Sequence, residues 1–265
     1  MSASTSKSST APIRETPSTP RPRRSVSPRP DIKPRAVRAS ITLNDPAVKL
    51  PGPLPEGFRL RRARLSDVPE IVDLMMKQAH AGGGRLGDLG ERFNHHLHEH
   101  FVTSQWGLSV VVEAPDGRVA ANGTGLISSR PFFTDFLLRR GLKACWAAAP
   151  YALRWRNLET VWGALRYIPQ SPTEDPKAEL VVMNTHGDFH RLGLATQIFH
   201  YLMDEYRPMG VPCVKLGHIP VDNARAIAYW ESFGPRFIRI EPLYKGHEAR
   251  VYFYDIPEHS MLQPA

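Results

Sequence analysis

The sequence is poor in cysteine, has few acids in its first fifth, and has no long apolar run. Cys145 and Cys213 are the only two cysteines in 265 residues, too few for a disulfide framework or a four-cysteine zinc site. No apolar stretch reaches the roughly 18 residues needed to cross a bilayer, and Met1–Lys7 lack the apolar core of a secretory leader. These absences predict a soluble protein that works in the cytoplasm. A hydrophobic content of 42% is enough for a core, and the length suits one domain with tails.

Charge is unevenly spread. Residues 1–55 hold ten basic side chains against Glu15, Asp31 and Asp45, which is +7 of the net +8, together with 11 of the 25 prolines. Such a stretch buries too little apolar surface to offset its chain entropy, and the composition predicts a disordered basic tail. Three roles compete for it: a solubilising extension, an organelle-targeting peptide opposed by its prolines, and attachment to an anionic surface through Arg21–Arg24. Aromatics for base stacking are missing there, which argues against specific nucleic-acid binding. Residues 56–258 are read as the folded domain and 259–265 as a short C-terminal tail.

From Phe58 the pattern is mixed α/β. Phe58–Arg64 alternates like an edge strand, and Asp67-Val-Pro-Glu70 opens a helix that Gly82-Gly-Gly84 ends. Residues 85–104 place Leu86, Leu89, Phe93, Leu97 and Phe101 on one helical stripe. Two strands, 106–114 and 118–128, flank the hairpin turn Pro115-Asp-Gly117. Further strands are expected at 178–185, 213–217, 237–241 and 249–256, with helices at 190–206 and 224–233. Residues 130–177 interrupt this series, and 130–168 carry seven basic residues, two acids and three of the five tryptophans. One to three helices are expected there, broken near Gly141, Pro150 and Pro169. Their roles range from packing on the domain, through a lid over a bound substrate or a pocket for an apolar one, to contact with a membrane surface.

The chemistry concentrates where the 178–185 strand turns into a helix. Gly193 and Ala195 leave room for a ligand beside free helix N–H groups, the arrangement that receives phosphate. Arg191 can add a charge and Thr196 a hydroxyl. His190-Arg-Leu-Gly193-Leu-Ala195 resembles the coenzyme-A motif of the GNAT N-acyltransferase superfamily, Gln/Arg-x-x-Gly-x-Gly/Ala, with His in the first place. Asn223-Ala-Arg-Ala226-Ile-Ala-Tyr229-Trp230-Glu-Ser-Phe-Gly234 is similar to that family's Asn-x-x-Ala-x-x-x-Tyr-x-x-x-Gly helix.

The resemblance spans about 200 residues apart from the insertion. It implies an α/β (α+β) fold: a central mixed, mostly antiparallel sheet flanked by helices, the GNAT-like acyl-CoA N-acyltransferase fold with a helical insertion at 130–177. It also implies acetyl-CoA or another acyl-CoA as co-substrate, with no metal. The donor would be held by Met183, Asn184 and Thr185 on the strand and by His190, Arg191, Leu192, Gly193, Leu194, Ala195 and Thr196 on the turn and helix. Asn223 would hold the pantetheine arm or a water, and Trp230 would line the site. Glu179, eleven residues before His190, matches the family's general base. A tyrosine is usual where Trp230 stands. Indole cannot supply a proton, so the acid role passes to the neighbouring Tyr229.

The expected activity is direct acyl transfer, in a ternary complex, to a primary amine on a small molecule or peptide, by a monomer or homodimer. A silent acyl-CoA sensor and an enzyme for longer acyl donors are the alternatives. His96-Leu-His-Glu-His100 also fits His-x-x-Glu-His, a zinc hydrolase pattern without a third ligand at a recognisable offset. His95, His98 or Glu99 are alternatively expected along the acceptor pocket, and His218 beside its channel.

Overall fold

The computed structural model describes residues 35–38, 51–80, 89–152, 176–242, 248–260 and 262, all within the unit Lys33–Ala265. Eight strands form one open sheet: β1 (Arg35–Arg38), β2 (Arg59–Arg62), β3 (Gly107–Glu113), β4 (Val119–Leu126), β5 (Ala178–Thr185), β6 (Cys213–Pro220), β7 (Phe237–Pro242) and β8 (Glu248–Asp255). Their order across the sheet is β1-β7-β8-β6-β5-β4-β3-β2. Every neighbouring pair is antiparallel except β5 and β6. β1 comes from within residues 1–55, and most of that segment, with its expected disorder, lies outside the described residues.

The helices are α1 (Val68–His80), α2 (Glu91–Thr103), α3 (Ser129–Ala152), α4 (Leu194–Tyr206) and α5 (Ala224–Glu231). Period-2 alternation decides which helix covers which face. Leu108, Val110, Val112, Ala178 and Leu180 point to one side, where Leu194, Ile198, Leu202 and Tyr206 of α4 and Trp230 of α5 complete the main core. The other side carries α1 through Ile71 against Val111 and Val119. There Leu97 and Phe101 of α2 also meet Phe132, Phe136 and Ala144 of α3 over Leu126. All eight residues of β4 are buried, since both faces are covered.

Two local features differ from expectation. α3 does not break at Gly141 or Pro150 but runs through both. A glycine inside a helix costs about 1 kcal/mol, and burial of Phe132, Phe136 and Ala144 outweighs it. Pro169 and the rest of 153–175 lie outside the described residues. The second helix begins at Glu91; residues 81–88, which include the expected Gly82–Gly84 stop and Leu86, are also outside.

Candidate functional site

The sheet opens at its one parallel pair. β5 and β6 are in register at Ala178↔Val214, Glu179↔Lys215 and Leu180↔Leu216, and there the pairing ends. β5 continues to Thr185 against β4 alone, and β6 continues to Pro220 against β8 alone. A bulge marks the divergence: Thr124 faces Val182 while Gly125 faces Leu180, so Val181 is the extra residue. One edge of β5 beyond Leu180 is therefore without a strand partner, which leaves room for an extended ligand to hydrogen-bond as a strand would.

The turn that follows β5 is open. A 3-10 turn, Gly187–Phe189, leads to His190, Arg191, Leu192 and Gly193, all exposed. Arg191 (φ 68°) and Gly193 (φ 75°) are both left-handed. Gly193 caps α4 with no side-chain hydrogen bond, and a Cβ placed on it would meet nothing within 4 Å. The first-turn N–H groups of Leu194, Ala195 and Thr196 point out of the helix start, where the dipole favours an anion. His190 is tied by Nε2 to the Thr185 carbonyl at 3.1 Å, which also accepts from Gln78 Nε2 at 3.0 Å.

Side chains of several residues expected to hold the donor are engaged within the domain, while the contact expected of Met183–Thr185 is through the strand backbone. Asn184 is buried and its Nδ2 donates to Asn122 Oδ1 at 3.2 Å, inside the sheet. Thr196 is buried, and its hydroxyl bonds the phenol of Tyr229. Asn223 Oδ1 accepts from the Ala226 N–H at 3.0 Å and so caps α5. Trp230 packs in the main core among Phe199, Phe233 and Tyr229 rather than lining the opening. Leu192 is exposed and Met183 is half-buried against the core. Burial pushes the Tyr229 phenol up to about 12, partly offset by its bond to Thr196.

Glu179 lies at the root of the divergence. It is buried, with Oε2 3.9 Å from Nζ of the equally buried Lys215. By alternation it faces the α2–α3 side with Leu126, its partner on β4. The Tyr206 hydroxyl, from the opposite face, donates to the Glu179 backbone carbonyl at 3.0 Å. Lys215 escaped the sequence reading, although a lone lysine in Cys213-Val-Lys-Leu is a visible anomaly in a strand apolar on both sides of it.

The α2 histidines are engaged separately. His98 is fully buried and burial pushes it down to about 4, so it is neutral in the core. Nε2 of His100 lies 3.3 Å from the Phe132 carbonyl and 3.5 Å from Asp135. His95 and His96 face Glu99. Among the described residues no three His, Cys, Asp or Glu side chains are grouped to hold a metal ion. A polar cleft opens beside His100 between the end of α2 and α3, lined by Thr103, Ser104, Asp135, Arg139 and Lys143. His218 is left-handed (φ 63°), with Nε2 3.4 Å from Glu241. Hydrogen bonding from His218 and the charge of Arg239 overcome burial and hold Glu241 down at about 2.

A mixed sheet that splits at its parallel pair, beside a helix entered through a left-handed glycine, is the acyl-CoA N-acyltransferase class of fold. Residues 127–234 match the model of the acetyltransferase (GNAT) family. No protein of curated function matches the sequence. Among solved structures, a GCN5-related N-acetyltransferase from Kribbella flavida is 14% identical, with 76% of this chain and 99% of that one covered and a TM-score of 0.50. The ribosomal-protein-S18-alanine N-acetyltransferase of Escherichia coli is 18% identical over 75% of this chain and 94% of its own (TM-score 0.44). A PaiA N-acetyltransferase from Thermoplasma acidophilum, in complex with coenzyme A, is 11% identical over 75% and 98% (TM-score 0.47).

Proposed function

We propose that this domain transfers an acyl group, in the simplest case acetyl, from acyl-CoA to a primary amine by direct attack. The observation that carries the reading is the divergence of β5 and β6 after Leu180↔Leu216, with the exposed Gly193 turn at the far end of β5. The spacing suits a co-substrate with a diphosphate at one end and an amide-rich arm at the other. The N–H groups of Leu194, Ala195 and Thr196 receive the diphosphate, with Arg191 beside them. The unpaired edge of Met183–Thr185 receives the pantetheine arm.

At the root of the split the amine nitrogen forms a bond to the thioester carbonyl carbon as the carbon–sulfur bond breaks. Glu179 takes the proton that the amine must lose, and the Lys215 ammonium offsets the cost of a buried carboxylate before that transfer. The departing sulfur leaves as thiolate. Tyr229, with a phenol near 12 against about 8.5 for an ordinary thiol, serves that sulfur as a hydrogen-bond donor and keeps its proton. The thiolate then takes a proton from solvent, to which Glu179 returns the one it removed from the amine. Both cysteines fall outside the motif positions, and the reaction uses no acyl-enzyme.

The acceptor enters from the α2–α3 side, which Glu179 faces. The test is calorimetry with acetyl-CoA on the full chain and on Gly193→Glu, followed by turnover on a panel of amines with acetyl and longer acyl donors. Tight binding lost in the variant, with amine-dependent thiol release, supports the reading. Equal affinity in both proteins overturns the diphosphate site, and binding without turnover on any amine leaves an acyl-CoA sensor.

A further inference from the structure

α3 has two apolar faces, and the described core uses only one. Phe132, Phe136 and Ala144 are buried against α2. On the outer side Leu138, Leu142 and Trp146 are 81%, 80% and 78% exposed. Their spacing of four residues aligns them as one ridge along two turns of helix. Scattered exposed leucines need no explanation, but three large side chains in line do.

Cations outnumber the one carboxylate around the ridge. Arg139 and Lys143 follow Leu138 and Leu142 by one position each, which sets both cations along the same flank of the ridge, and both are exposed. The one carboxylate of α3, Asp135, is turned to Arg139 and His100. A partner for this face must supply apolar depth and net negative charge together. A tryptophan at one end and cations along the side are the pattern of a helix lying in a lipid–water interface. The helix is not built to cross: no helix among the described residues is long and apolar enough to span a membrane. The +7 carried by residues 1–55 adds attraction for a negatively charged surface.

We propose that the outer face of α3 rests on an anionic membrane surface, with Leu138, Leu142 and Trp146 in the interface and Arg139 and Lys143 against the lipid phosphates. This inference does not depend on the acyl-transfer reading.

The test is flotation of the full chain with vesicles of phosphatidylcholine alone and of phosphatidylcholine mixed with phosphatidylserine. The full chain is expected to float with the anionic vesicles and much less with the neutral ones. The Leu138→Glu/Leu142→Glu/Trp146→Glu variant, whose three side chains lie outside the core, is expected to keep its melting temperature and lose about tenfold or more in lipid affinity. Arg139→Gln/Lys143→Gln is expected to weaken binding to the anionic vesicles only. A chain lacking residues 1–34 separates the tail from the ridge and is expected to retain binding that still depends on Leu138, Leu142 and Trp146. Unchanged flotation of the triple variant overturns the proposal. So does self-association of the wild-type chain, without lipid binding, that the triple variant abolishes, since the ridge would then be a contact between copies.

Discussion

Glu179 and Lys215 face each other across the last paired rungs of β5 and β6, with carboxylate and ammonium 3.9 Å apart and both side chains buried. Burying two charges is costly unless each compensates the other, and removing one partner is worse than removing both. Lys215→Met is therefore expected to destabilise the domain by about 3–5 kcal/mol, read from urea denaturation midpoints. Glu179→Gln/Lys215→Met is expected to recover most of that loss. If the single and double variants are equally unstable, the two groups are not coupled.

Glu179→Gln is itself a test of the base role. With an amine acceptor in hand, kcat is expected to fall by about 100-fold or more, the scale of general base catalysis, with acetyl-CoA affinity nearly unchanged in calorimetry. A variant that turns over at the normal rate assigns proton removal to another group or to water.

His98 makes the fold acid-sensitive. Burial depresses its folded value to about 4, against about 6.5 in an unfolded chain. Between these values the unfolded state binds the proton and the native state does not, so stability falls as pH drops from about 6.5 to about 4. The full effect is roughly 3 kcal/mol. Unfolding free energies at neutral pH and near pH 4.5 are expected to differ less in His98→Leu than in the native chain. Parallel pH profiles for the two proteins would remove His98 as the cause.

Gly193 separates strain from function. Its φ of 75° disfavours any side chain, though the space around it is empty. Gly193→Ala is expected to cost about 1–2 kcal/mol of stability from backbone strain alone. Gly193→Glu adds a negative charge where the diphosphate is proposed, and its acetyl-CoA affinity is expected to drop far below that of Gly193→Ala. Equal affinities would place the anion elsewhere.

Tyr229→Phe removes one buried hydroxyl beside Thr196. The expected result is a lower kcat, by about tenfold, with KM for acetyl-CoA nearly constant, because a hydrogen bond made only to the departing sulfur stabilises the transition state. A phenol held near 12 gives no basic limb to the pH–rate profile below about pH 10. Loss of donor affinity in the variant would make Tyr229 a binding residue instead.

The sheet and its motifs were legible because their signals are local. Pro115-Asp-Gly117 fixes the β3–β4 hairpin, and Gly117 adopts φ 83° at the turn. The Gly193 turn sits at a helix start, as its residue type allows, whereas the Asn223 side chain, expected on the pantetheine arm, caps α5. What escaped depends on neighbours distant in sequence. Trp230 occupies the place of a tyrosine in the motif, yet which way it points is decided by Phe199 and Phe233, and they draw it into the core. Lys215 has meaning only opposite Glu179, 36 positions earlier in the chain. The continuity of α3 through Gly141 follows from its packing on α2, which no window around Gly141 contains.

Gly123 and Gly125 of β4 let side chains of α4 reach the strand backbone: a Cβ on the first would strike Ile198, and one on the second the Tyr206 hydroxyl. The side chains of α4 are thus seated directly on strand backbone, which brings the helix close to the sheet beneath. Its first turn is positioned in advance for the diphosphate proposed there, so that little of the ligand's affinity would be spent on rearranging the chain.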